Sequence, residues 1–204
     1  MPQNAARFRE RIMILRRLVL ALGLVLVAAC AKNDLTDPPA DLGSFQLGFA
    51  VVVADNMKKV PISRDATVEE WEAALQKALD ARFKRYQNGT KLFNIGVAVD
   101  GYALAPPGIP IVASPKSILV VSATVFDDAA QEMLNPDGKG KQITSFERGG
   151  DGSGLVGTGY TRTKQEQIDE LAFVTALRVE EWLADNPEWF GLPPLVRATE
   201  APPR

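Results

Sequence analysis

The chain of 204 residues contains no histidine, and its single cysteine is Cys30. Without histidine there is no Ser-His-Asp triad and no Cys-His nucleophile, and no zinc site of the usual His/Cys kind. One thiol cannot close a disulfide within the chain, so the fold has to stand on its packing. Long apolar runs are lacking too. The uncharged stretch Leu18–Ala29 spans twelve residues, whereas a membrane-spanning helix needs about 20. Basic side chains are also scarce past that stretch. Residues 1–29 hold five arginines and one glutamate, which leaves 18 basic and 24 acidic residues from Cys30 onward, a net charge of about −6. Nucleic acid binding wants a basic stripe and docking on an anionic bilayer a polybasic segment. This balance argues against both classes.

What is present begins with Arg16-Arg17, continues through Leu18–Val27 and closes on Ala28-Ala29-Cys30. A basic start, an apolar middle and a small-residue exit are the three parts of a secretory signal peptide. Val27-Ala28-Ala29-Cys30 resembles the lipobox of bacterial lipoproteins. The resemblance implies cleavage between Ala29 and Cys30, palmitate-type acyl chains on Cys30, and a mature protein held to a membrane by that residue. An uncleaved anchor and simple secretion are the other readings of the stretch. Ala31–Gly43 is polar, carries paired prolines and has no apolar period. It reads as a flexible tether. The organisation expected is therefore a signal peptide over 1–29, lipidated cysteine and tether over 30–43, one domain over 44–190, and a disordered Pro-rich tail over 191–204.

Within the domain, Phe45–Ala54 reads as a first strand, with Phe45, Leu47, Phe49, Val51 and Val53 on one face. Thr67 and Glu70 form a capping box. Trp71, Leu75, Ala78, Leu79, Phe83 and Tyr86 follow at helical spacing, predicting a helix of about twenty residues that stops at Asn88-Gly89. Leu92–Leu104 and Ser117–Phe126 predict two long strands, the second apolar on both faces and so central, and Gln142–Phe146 predicts a short fourth. Thr163 and Glu166 make a second capping box. Ile168, Leu171, Ala172, Thr175, Val179, Trp182 and Leu183 are then the core face of a helix that Pro187 stops. The order predicts an α+β fold, a mostly antiparallel sheet of about four strands with both helices packed on one face.

Few residues suggest chemistry. Gly152-Ser-Gly154-Leu-Val-Gly157 matches G-x-G-x-x-G literally, yet only one helix remains after it and no further strand, so Gly149–Gly159 reads as a mobile loop rather than a dinucleotide site. Asp127 and Asp128 are adjacent and would point to opposite faces of a strand, with a hard-cation turn as the alternative. Asp55 and Asp100 lie near strand ends, where a carboxylate dyad is conceivable. No cofactor and no metal is expected. Phe173, Val174 and Leu177 lie off the core arc of the last helix and are the candidate partner surface, unless the first helix covers them.

The order of elements, with FNIGVAVDGYAL and SILVVSATVFDD as its two long strands, resembles small periplasmic lipoprotein domains of envelope assembly and transport systems. The resemblance implies a non-catalytic part that binds other envelope components; with the anchor, the tether and the missing catalytic residue types, the expectation is an interaction module at an outer membrane facing the periplasm, with a protein partner or a second copy. The other expectation is a lipid-anchored hydrolase or lyase working through carboxylates alone. A deep pocket lined by Asp55, Asp100 or Asp127 favours the enzyme, and a flat apolar patch favours the module.

Overall fold

The computed structural model describes residues 34–107, 117–148 and 162–195. Residues 1–36 and 37–204 form two units. The described part of the first is one 3-10 turn, Asp34–Thr36. The second holds β1 (Phe45–Val53), β2 (Lys58–Lys59), α1 (Val68–Phe83), β3 (Lys91–Ala103), β4 (Ile118–Asp127), β5 (Glu132–Met133), β6 (Lys141–Phe146) and α2 (Lys164–Ala184). Cys30, Ala29, the glycine-rich stretch 149–159 and the last residues of the expected tail lie outside the described residues.

The expected mostly antiparallel sheet of four strands is instead a mixed sheet of six. β1 runs parallel to β3 because α1 joins them, and a connection through a helix returns the chain in its original direction. β2 also pairs parallel with β3, further along it. β4 is antiparallel to β3, and both β5 and β6 are antiparallel to β4. With two residues each, β2 and β5 are too short to leave a period in the sequence.

Both helices start as their sequences dictate. The Thr67 and Thr163 hydroxyls accept the amides of Glu70 and Glu166, and those carboxylates accept the amides of Thr67 and Thr163 in return. α1 ends at Phe83, earlier than Asn88-Gly89, with Lys84 as its C-cap. The chain then passes Gly89 so close to β1 that a Cβ there would lie 2.0 Å from the Phe45 carbonyl oxygen. α1 and α2 pack on the same face of the sheet, as expected, over Leu119, Val121, Ala123 and Val125 of β4 and Phe93, Ile95, Val97 and Val99 of β3. An aromatic cluster closes one end. Phe45 stacks on Phe93 at 5.5 Å, and Phe190 meets both rings edge-on. The Phe190 carbonyl accepts the Ser44 amide and hydroxyl, tying the turn after α2 to the start of β1. Leu42, inside the expected tether, is buried in the same core.

Candidate functional site: the open face of the sheet

The alternation expected for β1 breaks at its centre. Leu47 pairs with Phe93 and Ala50 with Ile95, so Gly48 and Phe49 together oppose the single residue Asn94. One extra residue moves every later side chain to the other face. Leu47, Ala50 and Val52 therefore pack against the core, while Phe49, Val51 and Val53 are 55%, 47% and 46% exposed. Asn94 holds the bulge. Its Oδ1 accepts the Phe49 amide at 3.2 Å and its Nδ2 donates to Asp128 Oδ1 at 3.1 Å. Gly48 is required at this crossing, since a Cβ would lie 2.4 Å from Asn94 Oδ1.

The face away from the helices can be followed row by row. Val51 lies beside Gly96, which lies beside Thr124; Val53 lies beside Ala98, then Ser122, then Gln142. Val120 pairs with Thr144 and Ile118 with the exposed Phe146. None of these side chains is charged. The strand centres are small on β3 and large on β1, so a ridge of Phe49, Val51 and Val53 runs beside a floor of Gly96 and Ala98. Two hollows follow that floor. One of about 340 Å³ is bounded by Phe49, Val51, Gly96, Thr124, Phe126 and the exposed carboxylate Asp128. The other, of about 590 Å³, lies between Val53, Asp55, Lys58 and Asp100.

The candidate carboxylates separate into two groups. Asp55 and Asp100 do come to one hollow. Asp100 sits where the β3–β4 register slips between Val99 and Gly101, and its Oδ2 accepts the Ser122 hydroxyl at 2.8 Å. Asp127 and Asp128 point apart. Asp127 is buried, and its Oδ1 accepts the amides of Ala129 and Ala130 at 3.0 Å each, closing the turn after β4. Asp128 is exposed and is the partner of Asn94. Among the described residues no group of three or more Asp, Glu, His or Cys side chains is arranged to hold a metal ion.

The candidate surface on α2 is placed differently from the sheet face. Val174 is 5% exposed and belongs to the interior, while Phe173 and Leu177 are half-buried. Two guanidinium groups lie over the Phe173 ring, Arg82 at 5.2 Å and Arg148 at 4.7 Å from its centroid. Behind it Glu180 accepts from Arg82 at 2.5 Å, Arg85 at 2.8 Å and the Tyr86 hydroxyl at 2.5 Å. Burial, and then the Glu180 carboxylate beside it, push the Tyr86 phenol well above its ordinary range. Arg82 and Glu180 were missed as interior residues, although each stands at core spacing on its helix, three after Leu79 and four after Ala176. A second buried polar contact joins α2 to the sheet, the Thr175 hydroxyl donating to Ser145 Oγ at 2.7 Å.

No protein-family model matches the chain, and no curated protein matches it. Among solved structures, it is similar to a candidate lipoprotein from Caulobacter crescentus CB15, with 13% identity over 67% of this chain and 90% of that one and a TM-score of 0.37. It is also similar to the PelC dodecamer from Paraburkholderia phytofirmans, with 13% identity, 68% and 91% coverage and a TM-score of 0.34. A Xanthomonas campestris protein of family-model DUF330 is 10% identical, with 72% of this chain and 93% of that one covered and a TM-score of 0.37.

Proposed function

We propose that this protein is a non-catalytic interaction and assembly module of the bacterial cell envelope, held at the outer membrane by acyl chains on Cys30 and facing the periplasm. The observation that carries the reading is the open sheet face. Phe49, Val51 and Val53 stand in a row along β1, each roughly half exposed. Contiguous apolar surface of this kind marks interaction sites. The anchor follows from the resemblance of Val27-Ala28-Ala29-Cys30 to a lipobox, and a doubly acylated cysteine is sufficient for stable attachment where one chain is marginal. In cells fed labelled palmitate, the wild-type chain takes up label and sediments with membranes, and Cys30→Ser does neither. An unlabelled wild type in the membrane fraction overturns the anchor. Co-purification from membranes identifies what the module holds, and Phe49→Asp lowers its recovery.

The second reading, a hydrolase or lyase using carboxylates, draws on Asp55 and Asp100 lining one hollow. The Asp100 carboxylate is engaged by the Ser122 hydroxyl, which leaves it less free to act as a base. Turnover of any ester, glycoside or amide probe that Asp100→Asn abolishes would favour it.

A further inference from the structure

We infer that Asn88-Gly89 is a self-modifying site, where the chain's own backbone converts Asn88 to aspartate and isoaspartate and so loosens the start of β1. The inference is independent of the interaction-module reading.

Asn88 is the chain's one asparagine followed by glycine. Conversion requires the next backbone nitrogen to reach the asparagine side chain, and a side chain on that next residue crowds the approach. Glycine presents none. A larger residue at position 89 would slow the step, but the fold does not accept one. A Cβ there would lie 2.0 Å from the Phe45 carbonyl oxygen and 2.7 Å from the Gln46 amide nitrogen. The packing that demands glycine therefore keeps the reactive pair in place.

Both reacting groups are unguarded. Asn88 is exposed, in the segment between the end of α1 at Phe83 and the start of β3 at Lys91. Among the described residues none holds its side-chain amide and none accepts the Gly89 amide. Other asparagines of the domain differ. Asn94 is tied to Phe49 and Asp128, and Asn135 to Val125 and Ala123. Asn135 and Asn186 precede prolines, which have no amide proton to lose, and Asn56 precedes the bulky Met57.

The chemistry needs only water and a base from solution. The base removes the Gly89 amide proton, and the nitrogen attacks Asn88 Cγ. The Cγ–Nδ2 bond breaks, ammonia leaves, and a succinimide ring remains. Water then opens the ring. Opening at Cγ gives aspartate, whereas opening at the backbone carbonyl gives isoaspartate, with the main chain now running through Cβ and Cγ. Both products add a negative charge, but only isoaspartate lengthens the main chain. The added atom enters between anchored points. Before it, the Tyr86 amide donates to the Phe83 carbonyl at 3.1 Å; after it, the Thr90 and Lys91 amides donate to the Ser44 carbonyl at 3.0 and 2.9 Å. Gly89 lies against Phe45 between these anchors, so the displacement falls on Phe45, which is 1% exposed and stacks on Phe93.

The test ages the purified full chain for days at mildly alkaline pH. Mass spectrometry of digests then follows Asn88, and isoaspartyl methyltransferase labelling reports isoaspartate. Aspartate and isoaspartate are expected to accumulate at position 88, faster as pH rises, while Asn56, Asn94, Asn135 and Asn186 stay intact. The aged chain should melt about 2–4 °C lower, the shift that a small loss of stability gives a domain of this size. Asn88→Asp carries the charge without the longer main chain and should melt like fresh wild type, and Asn88→Ser should not change on ageing. Asn88 that persists in the folded chain, while the same peptide excised from it reacts, overturns the site. Isoaspartate without a lower melting temperature overturns the link to β1, as does an equal fall in aged Asn88→Ser.

Discussion

The Asn94 side-chain oxygen accepts the Phe49 amide at 3.2 Å, inside the bulge that turns the second half of β1 over. Through that bond a residue on β3 determines that Phe49, Val51 and Val53 face outward and Ala50 and Val52 inward. Gly48 leaves the room for it, at 2.4 Å from where a Cβ would be. Asn94→Ala leaves the Phe49 amide without its partner and is expected to destabilise the domain by about 1–3 kcal/mol. Gly48→Ala is destabilising on its own because it collides with Asn94. In the double variant the colliding group is gone, so the two losses sum to less than their separate values. Urea unfolding of the four proteins of this cycle checks it, and strict additivity would contradict the bulge geometry.

Much of the fold could be read locally. Thr67 with Glu70 and Thr163 with Glu166 mark helix starts because a capping box is satisfied within four residues. The core positions of α2, from Ile168 to Leu183, follow from period alone. What escaped was settled between distant segments. The direction of β1 depends on the strand it pairs with, and β2 and β5 exist only as two-residue additions to longer partners. Simple alternation puts Phe45, Leu47, Phe49, Val51 and Val53 on one face, whereas the bulge leaves Phe45 and Leu47 inward and turns Phe49, Val51 and Val53 outward. Gly48, a glycine in mid-strand, was the signal for a bulge. Arg82 and Glu180 are charges 98 positions apart, and neither shows its partner in its own neighbourhood.

Glu180 gathers two arginines and a tyrosine into one buried cluster between α1 and α2. Glu180→Ala withdraws the carboxylate from the fully buried Arg82 guanidinium and is expected to cost about 3–5 kcal/mol. Arg85→Ala costs clearly less, because Arg85 reaches solvent and Arg82 still holds the carboxylate. Denaturation midpoints that rank the two variants the other way would show that Arg82 does not depend on Glu180.

Acid should weaken the domain through its helix starts. The Lys164 ammonium, and then the Thr67 amide, hold the Glu70 carboxyl below its ordinary value of 4.5, and the Thr163 amide does the same for Glu166. Carboxyls lowered in the folded state contribute stability that is present above 4.5 and lost as pH falls through their folded values. Glutamine keeps the capping hydrogen bond without the charge. Glu70→Gln/Glu166→Gln should therefore show a shallower loss of stability than the wild type between roughly pH 5 and pH 3. Identical acid limbs in urea titrations would rule this contribution out.

Adjacent positions on α2 should answer the same substitution in opposite ways. Val174 is 5% exposed, so Val174→Asp buries a charge. A loss of several kcal/mol is expected, enough to unfold a domain of ordinary stability. Phe173→Asp puts the same charge near the Arg82 and Arg148 guanidinium groups, which lie 5.2 Å and 4.7 Å from the ring centroid. The substitution gives up the ring's packing and two cation–π contacts worth about 0.5–1 kcal/mol each. In exchange, the new carboxylate gains two cations, so the net loss is smaller than at Val174. Phe173→Leu keeps apolar bulk without the ring's quadrupole and isolates the cation–π part. Thermal unfolding of the three purified variants separates these contributions. If Phe173→Asp unfolds the chain as readily as Val174→Asp, the ring is core rather than a partner of the arginines, and the electrostatic account of this face of α2 fails.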